Sequence, residues 1–135
     1  MGGGYNYDLL IWLKTNPMPL YNRHYLPDKE YIVFITDKQV GPMIPNFNAA
    51  RTVFQYPINL RDKRKWGHPT IKPLPIIERL VENSSKEGDI VLDPFMGSGT
   101  TAVAAKSLGR HWLGFETNPD YCRVAEERLG ELKLF

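Results

Sequence analysis

The stretch "VLDPFMGSGTT", residues 91–101, carries the pattern from which the fold is read. With Ile90 it begins as a short buried strand, "IVLD" (90–93), and it runs into two glycines in Gly97-x-Gly99 order. "AVAAKSLG" (102–109) follows, and the spacing predicts a helix from Thr100 to Leu108 closed by Gly109 at the position of a C-terminal glycine cap. "HWLGFE" (111–116) predicts a second strand. Strand, glycine turn, helix and strand make one βαβ unit, right-handed by the general rule for such crossovers. The pattern Gly97-x-Gly99-x-x-Ala102, with Glu116 nineteen residues after Gly97, matches a known fingerprint. In it, glycines admit a ligand to a helix N-terminus and the acid takes ribose hydroxyls. A tight structural turn would explain the glycines alone, but not the well-placed acid.

Asp93, the last residue of the first strand, separates the candidate ligands. A carboxylate aimed into this crevice repels a pyrophosphate, at a place where a dinucleotide needs positive potential. It suits an ammonium group instead. S-adenosylmethionine has one at its methionine end, together with a carboxylate for backbone N–H groups and a ribose for Glu116. The residues therefore favour that cofactor over NAD.

Working outward, the chain has 135 residues, 42% hydrophobic and 24% charged, which makes it one globular domain or part of one. Its net charge of +2 predicts no polyanionic partner by itself. The distribution says more: "RDKRK" (61–65) has four cations and one acid, and reads alone as a solvated loop, whereas residues 116–135 hold five acids and three cations. Cys122 is the only cysteine, which excludes an intrachain disulfide, points to a cytoplasmic location and leaves the thiol as a small core residue. No apolar run approaches the roughly 20 residues that span a bilayer, so no membrane partner is expected. "MGGGYN" has Asn6 where a myristoylation start needs Ser or Thr, and reads as a loop or a cloning remnant.

"DLLIWLK" (8–14) and "EYIVFITD" (30–37) read as two strands joined by a proline-rich irregular loop. Across residues 38–67 no periodic pattern holds. It returns in a helix over 73–85, with Leu74, Ile77, Leu80 and Val81 on one face. Asn118 and Pro119 open a last helix whose apolar stripe is Tyr121, Val124, Ala125, Leu129 and Leu132.

Taken together, these segments resemble the amino-group DNA methyltransferases, which methylate the exocyclic nitrogen of adenine or cytosine. "DPFMGSGTT" is similar to that family's cofactor motif, "GHPTIKP" to the His-Pro-Thr-x-Lys-Pro motif that precedes it in permuted members, and "GFETNPDY" to the segment with the ribose-binding acid. "WLKTNPMP" resembles the strand and loop that follow the catalytic region. The order matches the β-type permutation. It implies an α/β fold, a partial Rossmann-like S-adenosylmethionine-dependent methyltransferase, organised as a hairpin-like part (1–37), a variable target-recognition-like segment (38–66) and a cofactor-binding βαβ part (67–135).

The resemblance further implies that Phe95, Gly97, Gly99, Thr100 and Thr101 line the methionine end, with Asp93 near its amine. His68, Pro69, Thr70 and Lys72 stand beside the same end, Glu116 holds the ribose, and Asn118 and Pro119 flank the adenine. Asn16, Pro17 and Pro19 shape the loop beside a flipped base, or form a structural turn. Arg51, Lys63, Arg64 and Lys65 become phosphate contacts to double-stranded DNA. Trp66 reads as a core residue rather than a stacking one. No metal site is expected.

One family feature does not occur. The (Asp/Ser/Asn)-Pro-Pro-(Tyr/Trp/Phe) tetrapeptide, which binds the target amine and stacks on the flipped base, is absent from these 135 residues. In the permuted order it would precede Met1, so the chain is expected to be the C-terminal portion of a longer enzyme. The implied sheet would lack its central strands, so a second polypeptide, direct closure of the two parts or self-association is expected to complete it. Little activity is expected of the chain alone. The rivals are a non-catalytic DNA- or cofactor-binding remnant and an NAD-dependent oxidoreductase.

Overall fold

The computed structural model describes residues 4–19 and 25–131 and divides into two units, Met1–Ile58 and Asn59–Phe135. In the first unit, strands β1 (Tyr5–Lys14) and β2 (Lys29–Asp37) pair antiparallel, in a register running from Tyr5 opposite Asp37 to Leu13 opposite Lys29. The period-two alternation sends Leu10 and Trp12 to a buried face. Tyr5, Tyr7 and Leu9 point the other way and meet Tyr31, Val33 and Ile35 across the pair, all six more than half exposed. Both strands expected from the apolar runs are present. Of the connector between them, residues 20–24 lie outside the described part, as do Met1 to Gly3 of the N-terminal stretch.

A third strand stands where the sequence shows no pattern. β3 (Val53–Tyr56) joins the free edge of β1 in parallel, setting buried Phe54 beside Trp12, whose indole N–H donates to the Tyr56 carbonyl at 2.8 Å. Four residues with one fully buried side chain, followed at once by Pro57, are too short to display a period.

The second unit begins with another element hidden in that interval. Helix α1 (Leu60–Trp66) carries "RDKRK", which is therefore helical rather than a loop. Asn59 caps it by accepting from the Asp62 N–H at 3.1 Å, and it stops at Gly67. Because the helix buries no residue completely, it has no apolar stripe to read.

α2 (Leu74–Ser84), β4 (Ile90–Asp93), α3 (Thr100–Ser107), β5 (His111–Gly114) and α4 (Pro119–Glu131) fall within a residue or two of their predicted bounds. Leu132, assigned to the last apolar stripe, lies outside the described residues. β4 and β5 pair in parallel, Ile90 beside His111 through Asp93 beside Gly114, with α3 as the crossover. α3 buries Ala102, Val103, Ala104 and Ala105. Its small side chains let β4, β5, α2 and α4 all pack against one short helix. The core continues through Leu129, Leu74 and Met96. At Gly114 the Met96 thioether fills the space of a side chain, since a Cβ there would lie 1.6 Å from the Met96 Cε and would displace it.

The opposite face of the β4–β5 pair carries Ile90, Leu92, Leu113 and Phe115, each more than half exposed. Among the described residues β4 pairs only with β5, as expected of a strand whose other neighbour is missing. No helix among them is long and apolar enough to cross a membrane.

Candidate functional site

At the C-terminal end of β4 the chain turns sharply. Asp93 Oδ1 accepts from the Phe95 N–H at 2.9 Å, and the Phe115 N–H donates to the Asp93 carbonyl at 3.0 Å. The loop is thereby fastened to its own strand and to the end of β5. Phe95 is 88% exposed at the mouth of the loop. Gly97 and Gly99 adopt φ of 54° and 78°, the left-handed region that glycine enters without steric cost. Gly99 is also needed for space, since a Cβ there would meet the Ala125 Cβ of α4 at 2.7 Å. A Cβ on Gly97 would lie 3.3 Å from the His68 Nε2.

Glu116 spans the site. Its Oε2 accepts from the Gly97 N–H at 2.9 Å and its Oε1 from the Asn118 N–H at 2.8 Å, so one carboxylate bridges the glycine turn and the start of α4. The Asn118 N–H foremost, then those of Gly97 and Thr117, hold it below the usual glutamate value against a smaller opposing effect of burial. Glu116 is ionised at neutral pH, and each oxygen keeps a lone pair for a further donor. Asn118 Oδ1 accepts from the Asp120 N–H at 2.9 Å, and Pro119 begins the helix. Half-buried Cys122 donates its thiol to the Glu116 carbonyl at 3.6 Å.

His68 closes the turn from the other side. It is 8% exposed, meets the Tyr121 ring edge-on at 4.3 Å, and accepts at Nδ1 from the Thr70 N–H at 3.2 Å. Burial, the main cause, lowers its pKa despite the opposing Glu116 charge. The ring is therefore neutral near pH 7, with its proton on Nε2, beside Gly97. Buried Ile71 anchors the segment, leaving Pro69, Thr70 and Lys72 exposed.

A residue that the sequence reading missed lies beneath the loop. Arg128 of α4 is 7% exposed, and its Nη1 donates to the Ser98 carbonyl at 2.5 Å, the Ser98 hydroxyl at 3.0 Å and the Thr100 hydroxyl at 3.1 Å. Burial lowers its pKa, opposed by Asp62. The available signal was a cation falling three residues after Ala125 and four after Val124, on the apolar stripe itself.

The structure thus gathers Asp93, Phe95, Gly97, Gly99, Thr100, Thr101, Glu116, Asn118, Pro119 and His68 around one turn of the second unit. The cations divide. Lys65 pairs with Glu131 at 2.6 Å and lies over the Trp66 ring at 4.2 Å, while Arg64 is exposed and Lys63 half-exposed on the same helix. Trp66 is half-buried. Arg51, Asn16, Pro17 and Pro19 belong to the first unit. There the Asn16 amide donates to the Ile58 carbonyl at 3.4 Å and accepts from the Ile58 N–H, tying β1 to the segment after β3.

A glycine turn between parallel strands, with a carboxylate at the end of the second, defines a Rossmann-like α/β arrangement. Residues 2–127 match the N6/N4 methyltransferase family model, described as DNA methylase, and the chain belongs to that family. It is 37% identical over 134 residues to a type II methyltransferase of Lactococcus lactis subsp. cremoris, M2.LlaDCHI, covering 90% of this chain and 50% of that protein. It is 36% identical to M2.DpnII of Streptococcus pneumoniae, over 89% of this chain and 49% of the other. Among solved structures, the M1.HpyAVI–SAM complex aligns with a TM-score of 0.78 at 35% identity, over 93% of this chain and 63% of that one. The fold is thus that of the methyltransferase family, in part: the chain spans about half the length of the curated relatives it matches.

Proposed function

We propose that this chain is the cofactor-binding portion of an enzyme that methylates the exocyclic amine of adenine or cytosine in double-stranded DNA, with S-adenosylmethionine as the donor. The observation that carries the reading is Glu116, an ionised carboxylate fixed between the Gly97 and Asn118 N–H groups at the ends of the strands. The cofactor suits the chemistry there because each Glu116 oxygen keeps a lone pair beyond the one bonded to a backbone N–H. Glu116 takes the ribose hydroxyls on its remaining lone pairs, with Asn118 and Pro119 beside the adenine. Asp93 faces the ammonium group, and Phe95, Gly97, Gly99, Thr100 and Thr101 line the amino-acid end. His68, Pro69, Thr70 and Lys72 border it. Bound in this turn, the cofactor supplies a methyl group on a sulfonium, activated for in-line displacement.

What the residues contribute is alignment, the main demand of such a transfer. The Pro-Pro-aromatic tetrapeptide that would hold the target amine is not in the sequence. Asn16, Pro17 and Pro19 adjoin the target base, and Arg51, Lys63, Arg64 and Lys65 contact phosphates. The exposed apolar faces of β4–β5 and of the hairpin are covered by a second polypeptide or a second copy. A cytoplasmic location accords with the DNA substrate. An NAD-dependent oxidoreductase has no use for Asp93 beside the turn. A non-catalytic remnant that binds DNA or cofactor stays in view because the tetrapeptide is absent.

The test is equilibrium dialysis with tritiated S-adenosylmethionine beside a transfer assay on mixed-sequence duplex DNA. Label retained by the protein with little transfer is the expected result. Robust transfer by the chain alone contradicts the division of labour, and no retention contradicts the cofactor.

A further inference from the structure

Arg128 is a buried cation whose hydrogen bonds, among the described residues, go to neutral oxygens of one turn, Ser98 and Thr100, 28 to 30 residues away in sequence. Removing a charge from water is costly unless the protein replaces its solvation. Here one turn supplies the hydrogen bonds and the Asp62 carboxylate adds a compensating charge, and that turn leads into α3. We propose that Arg128 is a positioning residue that sets the site's preference for a ligand with an amino-acid end, by fixing the Ser98–Thr100 turn and placing positive charge behind it.

Two physical consequences support this. Both hydroxyls accept from the guanidinium, which leaves the hydrogen of the Thr100 hydroxyl to donate to an anionic group. The fixed cation also lies beneath the N-terminal end of α3, where the helix's own partial charge is positive. A carboxylate on this turn gains from both. The nucleoside end of a ligand meets Glu116 instead, at the end of the other strand. Ala125 of the same helix packs on Gly99, so α4 supports the turn with an apolar contact and a charged one, three residues apart.

The inference rests on the cofactor reading, and two ligands separate them. S-adenosylhomocysteine and 5′-methylthioadenosine share the adenosine thioether, and only the first carries the amino-acid end. Calorimetry on the full chain should show S-adenosylhomocysteine binding about tenfold or more tightly than methylthioadenosine. In Arg128→Met the ratio should collapse toward one while the methylthioadenosine affinity stays within about twofold, and Arg128→Lys should restore part of it. Ser98→Ala removes one acceptor with little change in volume, and should reduce the ratio about threefold even if Arg128→Met does not fold. A ratio unchanged in Ser98→Ala or Arg128→Met, or a parallel fall in both affinities, overturns the role of Arg128. A wild-type chain that takes neither ligand overturns the cofactor reading and the inference with it.

Discussion

Gly99 is where two demands meet: its φ of 78° is left-handed, and a Cβ added to it would stand only 2.7 Å from the Ala125 Cβ. Gly99→Ala should therefore destabilise the chain by more than about 2 kcal/mol, since backbone strain adds to overpacking. Urea denaturation would show it, and a loss below about 0.5 kcal/mol would mean that α4 does not press on the turn. His68 and Glu116 make the same neighbourhood sensitive to acid. His68 is held below its ordinary 6.5, so the unfolded chain takes up a proton first and stability falls as pH drops from 6.5 toward the folded value. Glu116 is held below 4.5, so its contribution is present above 4.5 and disappears as pH falls through its lowered value. In His68→Gln the fall in the denaturation midpoint between about pH 7 and pH 5 should shrink. Unchanged pH dependence would show that the imidazole is not held neutral by the fold.

At the scale of elements, legibility followed burial. β4, α3 and β5 were readable because an apolar run, two glycines and a spaced acid state one consistent unit. The Glu116 bridge to Gly97 was foreshadowed by that spacing, although its bonds to backbone N–H groups were not. β3 and α1 escaped because one is four residues long and the other buries nothing completely. Arg128 escaped because a charge on an apolar stripe reads as a defect in the stripe until its partners are seen. The helical placement of "RDKRK" sharpens the proposed DNA contacts. Arg64 is exposed and Lys63 half-exposed, whereas the exposed Lys65–Glu131 pair, worth at most about 1 kcal/mol, partly occupies Lys65. Replacing Lys63 and Arg64 together by Ala should weaken duplex binding and lower the slope of log K against log salt by about 2. A slope unchanged by that pair, measured by fluorescence anisotropy across salt concentrations, would remove α1 from the interface.

At the scale of the molecule, each unit leaves one face of its sheet apolar and exposed. Ile90, Leu92, Leu113 and Phe115 make one, and Tyr5, Tyr7, Leu9, Tyr31, Val33 and Ile35 the other. Parallel α/β sheets are ordinarily covered on both faces, and large exposed apolar patches mark interaction surfaces. Size-exclusion chromatography with light scattering should therefore find assemblies heavier than 15.5 kDa that grow with concentration. A well-behaved monomer with cooperative unfolding contradicts assembly through these faces.

Everything proposed for the site depends on the turn between β4 and α3, with Glu116 across it, taking S-adenosylmethionine and not a dinucleotide. Titration calorimetry of the chain and of Glu116→Gln with S-adenosylmethionine and with NAD tests it most directly. The expected result is saturable binding of S-adenosylmethionine, weakened about tenfold or more in Glu116→Gln, and no comparable binding of NAD. Equal binding of the two ligands, or S-adenosylmethionine affinity indifferent to Glu116, would contradict it.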